Sequence, residues 1–225
     1  MILHLVTDRQ RLTPGAGPSA MLDCLLQQIA CAASAGIDVV QIRERDLDAR
    51  TLADLVRHAV ALTRGSTTRV VVNERLDVAL AAGADGVHLR GDSLSAERVR
   101  PLAPPGFLIG RSVHTPAAAA SSGPVDYLVA GTVWASASKP AGHPLLGVDG
   151  LALVVQAAVV PVLAIGGVEL AHVPALAQAG AAGVAAIGTW VGDEGTCRAI
   201  PLEGRVQAYR AAGRTANMRT FPHRG

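Results

Sequence analysis

Eight short β-branched runs alternate along this chain with alanine-rich segments of helical spacing, and that alternation constrains the fold more than any other feature. The runs are residues 2–8 (ILHLVTD), 38–44 (DVVQIRE), 69–74 (RVVVNE), 86–89 (GVHL), 107–114 (FLIGRSVH), 126–134 (DYLVAGTVW), 161–167 (PVLAIGG) and 183–188 (GVAAIG). Runs this short, bounded by Gly, Asp and Pro, suit strands rather than helices. Between them, Leu22, Leu25, Leu26, Ile29 and Ala33 form an i, i+3, i+4, i+7 stripe that stops at Gly36. Leu52, Leu55, Val56, Ala59 and Leu62 repeat the stripe before Gly65, and Val173, Leu176 and Ala177 precede Gly180. The related motifs AGADG (82–86) and AGAAG (179–183) each read as a helix end, a glycine cap and a turn into the next strand. Strand and helix in alternation predict a parallel sheet with right-handed crossovers. Eight such units predict a closed (β/α)8 TIM barrel, an α/β fold in a single domain over residues 1–209. Residues 210–225 read as a patternless C-terminal tail. An open doubly wound sheet would want fewer strands and a GxGxxG turn after the first one, where Asp8–Arg11 stands instead.

Composition narrows the function classes. The net charge is +2 with no basic run, so there is no electrostatic footprint for nucleic acid. The longest near-apolar stretch, residues 151–163, contains Gln156 and Pro161 and falls short of the roughly 20 residues of a membrane span. No basic region followed by an apolar core opens the chain, as a secretion signal would require. Cys24, Cys31 and Cys197 are odd in number and scattered, which reads as buried thiols and a cytoplasmic setting. Association into a homo-oligomer is left open.

In a barrel the active site lies at the C-terminal ends of the strands. The residues there are Gln41, Arg43 and Arg45; Asn73 and Glu74; His88, Arg90 and Asp92; Arg111, Ser112 and His114; Thr132; Gly166 and Gly167; Gly188 and Thr189. Arginines, hydroxyls, one lysine and paired glycines at one rim predict an anionic-ligand site. Gly166-Gly167 and Gly188 suit a phosphate held on bare backbone N–H groups, or else tight turns. Arg43 and Arg45, in alternate positions, either clamp a diphosphate or pair with Glu44 and Asp46. Glu74 and Asp92 offer the oxygen ligands Mg²⁺ takes, or pair with Arg75 and Arg90. His114 is a ligand contact, an acid/base or a strand-end hydrogen-bonding residue. Of the 20 basic residues only Lys139 is lysine; it sits in the polar loop SASKPAGHP, where a compact ammonium on a flexible stem suits a transferring phosphate.

These residues fall in motifs that resemble the thiamine phosphate synthase/TenI superfamily from Met1 to about Trp190: LVTD (5–8), QIRER (41–45), VVNERLDVALAAGADGVHL (71–89), IGRSVHT (109–115), DYLVAGTV (126–133), SKPAGHPLLG (138–147) and PVLAIGGV (161–168). The resemblance implies a TIM barrel that takes small phosphorylated substrates and binds a hydroxyethylthiazole phosphate. For the synthase it implies transfer of a hydroxymethylpyrimidine from its diphosphate to that thiazole with Mg²⁺, the diphosphate leaving first to give a pyrimidine-methyl cation. Gln41, Arg43, Arg45, Asn73, Ser112 and Lys139 would then surround the diphosphate, and Gly167 and Gly188 would hold the thiazole phosphate. The TenI-like alternative is a tautomerase that aromatises a thiazole carboxylate phosphate through a proton carrier, for which His114 and His143 are available. A third reading is a non-catalytic binder of thiazole phosphate. The sequence departs from the synthase pattern at Arg45, at Glu74 after Asn73, and at Asp92-Ser93, and from the tautomerase pattern at Thr132.

Overall fold

The computed structural model describes residues 1–136, 139–140, 142–191 and 202–216. Eight parallel strands close into a barrel in sequence order: β1 (Ile2–Val6), β2 (Val39–Ile42), β3 (Arg69–Asn73), β4 (Gly86–Leu89), β5 (Leu108–Val113), β6 (Tyr127–Gly131), β7 (Val162–Ile165) and β8 (Gly183–Ala186). Closure is made by β1 against β8, with Ile2 opposite Gly183 and Leu5 opposite Ala186. Around it run α1 (Arg9–Leu12), α2 (Pro18–Ala35), α3 (Ala49–Thr63), α4 (Leu76–Ala81), α5 (Ala96–Val99), α6 (Pro116–Ala120), α7 (Gly147–Ala157), α8 (Val173–Gln178) and α9 (Leu202–Thr215). The expected stops hold: Gly36 ends α2 in the left-handed conformation at φ +83°, where a Cβ would be strained. Asp48 caps α3 by accepting from the Arg50 and Thr51 amides.

The pleat divides each strand between two cores. Leu3, Leu5, Leu128 and Ala130 face the helices, whereas Ile2, Tyr127, Val129, Leu163 and Ala185 fill the barrel interior. Tyr127 fits inside because its β5 neighbour is Gly110; a Cβ there would stand 2.1 Å from the Tyr127 Cζ. Two residues further along the strands the interior turns polar, with His4, Gln41, Asn73 and His88 all buried. At the opposite end, Asp38, Asp85 and Asp126 accept from the strand amides of Leu3, Val70 and Ile109 at 2.7, 2.9 and 2.6 Å, stitching each strand to its predecessor.

Three expectations need correction. The tail does not begin at residue 210: α9 runs to Thr215 and packs on α2 and α8, and Arg210 donates to the carbonyls of Met1 and Gly36 and to Asp38. Residues 217–225 lie outside the described residues. Strand β2 stops at Ile42, so Arg43 and Arg45 stand beyond it. Cys31 is a free thiol, but Cys24 is disulfide-bonded rather than a thiol. Among the described residues no helix is long and apolar enough to cross a membrane.

Burial gives the barrel an acid weakness. Desolvation, then the neighbouring His88, hold His4 well below the usual histidine pKa, and desolvation takes His88 down to about 3. Unfolded, both titrate near about 6.5. Below that value the unfolded chain binds protons that the folded one refuses, so stability is full above it and falls with acid, by up to about 1.4 kcal/mol per pH unit per histidine. The denaturant midpoint should therefore drop steadily from pH 6.5 toward pH 4, and His4→Leu should make that slope shallower. A midpoint with the same slope in both proteins would remove the histidines as its cause.

Candidate functional site

A cavity of about 880 Å³ opens at the C-terminal ends of the strands, lined by Gln41, Arg43, Arg45, Asn73, Ser112, His114 and Lys139 among others. It joins a second chamber of about 610 Å³ lined by Gly166, Gly167, Gly188 and Thr189. Arg11, Ser136, Ile165, Gly166 and Ile187 border both chambers. The residues expected around a diphosphate and those expected around a phosphate thus occupy adjoining compartments of one mouth.

Why the cations in this mouth remain available follows from one buried network. Glu44 does not pair with Arg43 or Arg45. Its carboxylate, 3% exposed, accepts from the Arg9 guanidinium at 2.8 Å and from the Thr7 hydroxyl at 2.6 Å. The same guanidinium binds Asp46 at 2.6 Å, and the Arg43 amide donates to Thr7 Oγ1. Arg9 therefore takes up both acids of the β2 loop, and Arg43 and Arg45 meet no carboxylate within ion-pair distance among the described residues. Burial, and then the charge of Arg45, pull the Arg43 pKa below the usual arginine value. Half-buried Arg43 and exposed Arg45 are like charges that an anion between them would relieve. Gln41 and Asn73 lie deeper and are mutually oriented, the Gln41 amide donating to Asn73 Oδ1 at 3.0 Å.

The glycines of the second chamber differ in what they do. Gly166 and Gly167 have φ of +99° and +59°, and a Cβ on Gly167 would stand 2.3 Å from the Ala135 carbonyl oxygen. They are glycine for the turn itself. Gly188 has no such conflict: a Cβ there would meet only the Arg11 guanidinium, at 3.4 Å. Its bare backbone faces the chamber, which is where a phosphate would approach.

The acids expected to hold metal each have a partner in the protein. Glu74, at φ +68°, accepts from the Arg90 amide, and Asp92 pairs with the Arg90 guanidinium at 2.6 Å. Arg75 pairs with Asp77 instead. Among the described residues no three His, Cys, Asp or Glu side chains gather as a metal group. His114 borders the cavity with Nδ1 against the Gly131 carbonyl, while His143 stands in the loop outside both chamber linings. Arg11 was not singled out from sequence. It sits on the short helix after β1, at a rim position equivalent to the others, and that was the available signal.

The thiamine monophosphate synthase family model matches residues 3–189. A thiamine-phosphate synthase of Methanoculleus marisnigri is 42% identical over 189 residues, covering 81% of this chain and 88% of that protein. One from Roseiflexus sp. is 36% identical over 193 residues, covering 85% and 78%. Among solved structures, thiamine phosphate pyrophosphorylase from Pyrococcus furiosus superposes with a TM-score of 0.73 at 27% identity, covering 94% of this chain and 96% of that one.

The two glycine types separate fold from ligand. Gly188→Ala should leave the melting temperature unchanged while weakening inorganic phosphate binding about tenfold, or about 1.4 kcal/mol, by calorimetry. Gly167→Ala should cost on the order of 1–3 kcal/mol of stability through its positive φ. Equal phosphate affinity in Gly188→Ala and wild type would remove that chamber as the phosphate site.

Proposed function

The chain belongs to the thiamine monophosphate synthase family, and from that premise we propose that it transfers a hydroxymethylpyrimidine from its diphosphate to hydroxyethylthiazole phosphate, releasing pyrophosphate. The observation that carries this reading is the set of cations with no ion pair among the described residues, Arg43, Arg45 and Lys139, on the wall of a cavity that adjoins a glycine-lined chamber. The diphosphate belongs with the cations, Gln41, Asn73 and Ser112. The thiazole phosphate belongs with Gly166, Gly167, Gly188 and Thr189. Arg11, bordering both chambers, faces the two anions at once.

The reaction needs charge stabilisation at the leaving group more than it needs a base. As the carbon–oxygen bond to the diphosphate breaks, negative charge gathers on the departing oxygens. Fixed cations and hydroxyl donors lower that barrier because they are already oriented. Lys139, exposed on its loop, brings a mobile point charge; Arg43 and Arg45 give planar, bidentate contacts. The thiazole nitrogen then attacks the pyrimidine-methyl carbon, and no proton has to be removed from it. Glu74 and Asp92 contact Arg90; together with diphosphate oxygens and waters they would supply the oxygen ligands Mg²⁺ takes, adding to the charge that arginine and lysine bring to the diphosphate. A tautomerase would need a proton carrier facing its substrate. His143 lies off the chambers, and His114, which borders the cavity, is engaged with the Gly131 carbonyl through Nδ1. The reading extends to a cytoplasmic setting and small-molecule partners.

Purified protein given both precursors should release pyrophosphate, read by a coupled phosphate assay, and should leave thiazole carboxylate phosphate unchanged. Lys139→Ala should lower kcat by about a hundredfold or more while folding normally, and Arg11→Ala should raise KM for both substrates. Absence of pyrophosphate at saturating substrates, with or without added Mg²⁺, would defeat the transferase reading.

A further inference from the structure

Behind the cavity wall lies a chain of neutral hydrogen-bonding groups that the reaction as described does not use. His88 on β4 is 2% exposed. Its Nε2 is 2.9 Å from Ser112 Oγ on β5, and its Nδ1 is 3.2 Å from the Tyr127 hydroxyl on β6. Tyr127 is fully buried in the barrel interior, lodged over Gly110. His88 and Ser112 both reach the cavity. Three adjacent strands thus contribute one link each, running from the interior to the site.

We propose that His88 is a positioning residue that fixes the direction of the Ser112 hydroxyl, so that its proton points into the cavity at the departing diphosphate. A neutral imidazole has one donor and one acceptor nitrogen, so a chain through it has a direction. Burial keeps His88 neutral, with a pKa down to about 3, and desolvation raises that of Tyr127, so the phenol keeps its proton. A phenol is a good donor and a poor acceptor, whereas an aliphatic hydroxyl oxygen accepts well. The chain therefore runs from the Tyr127 O–H to Nδ1, and from Nε2–H to Ser112 Oγ. Having accepted from His88, Ser112 has its single proton left for the cavity. A hydroxyl that accepts also donates more strongly, because each bond polarises the next. Without His88 the serine rotor is free, and its contribution at the leaving group is lost on average. The inference rests on the transferase reading and deepens it by naming what orients one of its donors.

The test is a double-mutant cycle with a direct view of the proton. Ser112→Ala should lower kcat at least tenfold. His88→Leu should lower it comparably with KM within about twofold, and the double variant should be no worse than Ser112→Ala alone, since both remove one function. Tyr127→Phe, a gentler change should His88→Leu fail to fold, should lower kcat severalfold in the wild-type background and not at all beside Ser112→Ala. Losses that multiply in the double variants, a change confined to KM, or an unchanged kcat in any single variant would overturn the proposal. Long-range ¹⁵N–¹H spectra of the folded wild-type protein should show His88 as the Nε2–H tautomer, and the Nδ1–H tautomer would overturn it too. If the wild type releases no pyrophosphate, the transferase reading fails, and the chain's direction is still decided by that tautomer.

Discussion

Closure of β1 onto β8 is the constraint on which the rest depends. Once eight parallel strands share one ring of backbone hydrogen bonds, every strand has an inside and an outside, and a fixed number of side chains must fill a small interior. This chain fills its lower interior with Ile2, Tyr127, Val129 and Leu163 and makes room with glycine on neighbouring strands. The next positions toward the C-terminal ends carry His4, Gln41, Asn73, His88 and Ser112. Most of that polar tier is satisfied internally, Gln41 by Asn73 and His88 by Ser112 and Tyr127, whereas both ring nitrogens of His4 are buried without a hydrogen-bond partner. Closure also brings the loop after β1 beside the loop after β8, so that Arg11 comes to border the Gly188 chamber.

The charges are partitioned with the same economy. The β2 loop carries Arg43, Glu44, Arg45 and Asp46 in succession, a composition that would neutralise itself in solution. Arg9, just after β1, prevents this by pairing with both acids. The arginines are then left facing the cavity without a counter-ion from the loop. Burial, and then the charge of Arg45, disfavour the charge of Arg43 and lower its pKa. A favourable interaction is thereby reserved for an anionic ligand. Arg9 contributes to the site although it touches no substrate chamber, because it decides which partners Arg43 and Arg45 do not have.

Much of this was legible in the sequence, and the exceptions have physical causes. The eight β-branched runs appear as eight strands because a parallel strand buried on both faces has to be continuously apolar. The glycines after β7 and β8 and the cations after β2 and β6 were found by assuming only that function gathers at strand ends. Helix α7 escaped notice because Gly147 and Gly150 interrupt its first turns, and α9 because its mostly polar surface leaves only Leu202, Val206 and Tyr209 as a stripe. The choice between Arg9 and the cavity arginines as partner of Glu44 is a tertiary matter that spacing cannot decide. The left-handed backbone at Glu74, which brings its carboxylate onto the Arg90 amide, is likewise a tertiary matter.

The site then has two tiers with different electrical character, and the proposed reaction explains why they stay separate. Rim positions carry full charges, which suit a diphosphate that arrives and leaves with its own. Deeper positions are dipolar and uncharged: an amide pair, a hydroxyl and an imidazole whose burial keeps it neutral. A cationic imidazole at His88 would carry the cost of burying a charge. It would also have two donors and no acceptor, so the Tyr127 hydroxyl could no longer donate to it. Desolvation inside the barrel thus serves catalysis and costs acid stability through one physical term. A protein that relieved the cost by exposing His88 would gain resistance to acid and lose the neutrality on which the donor chain depends.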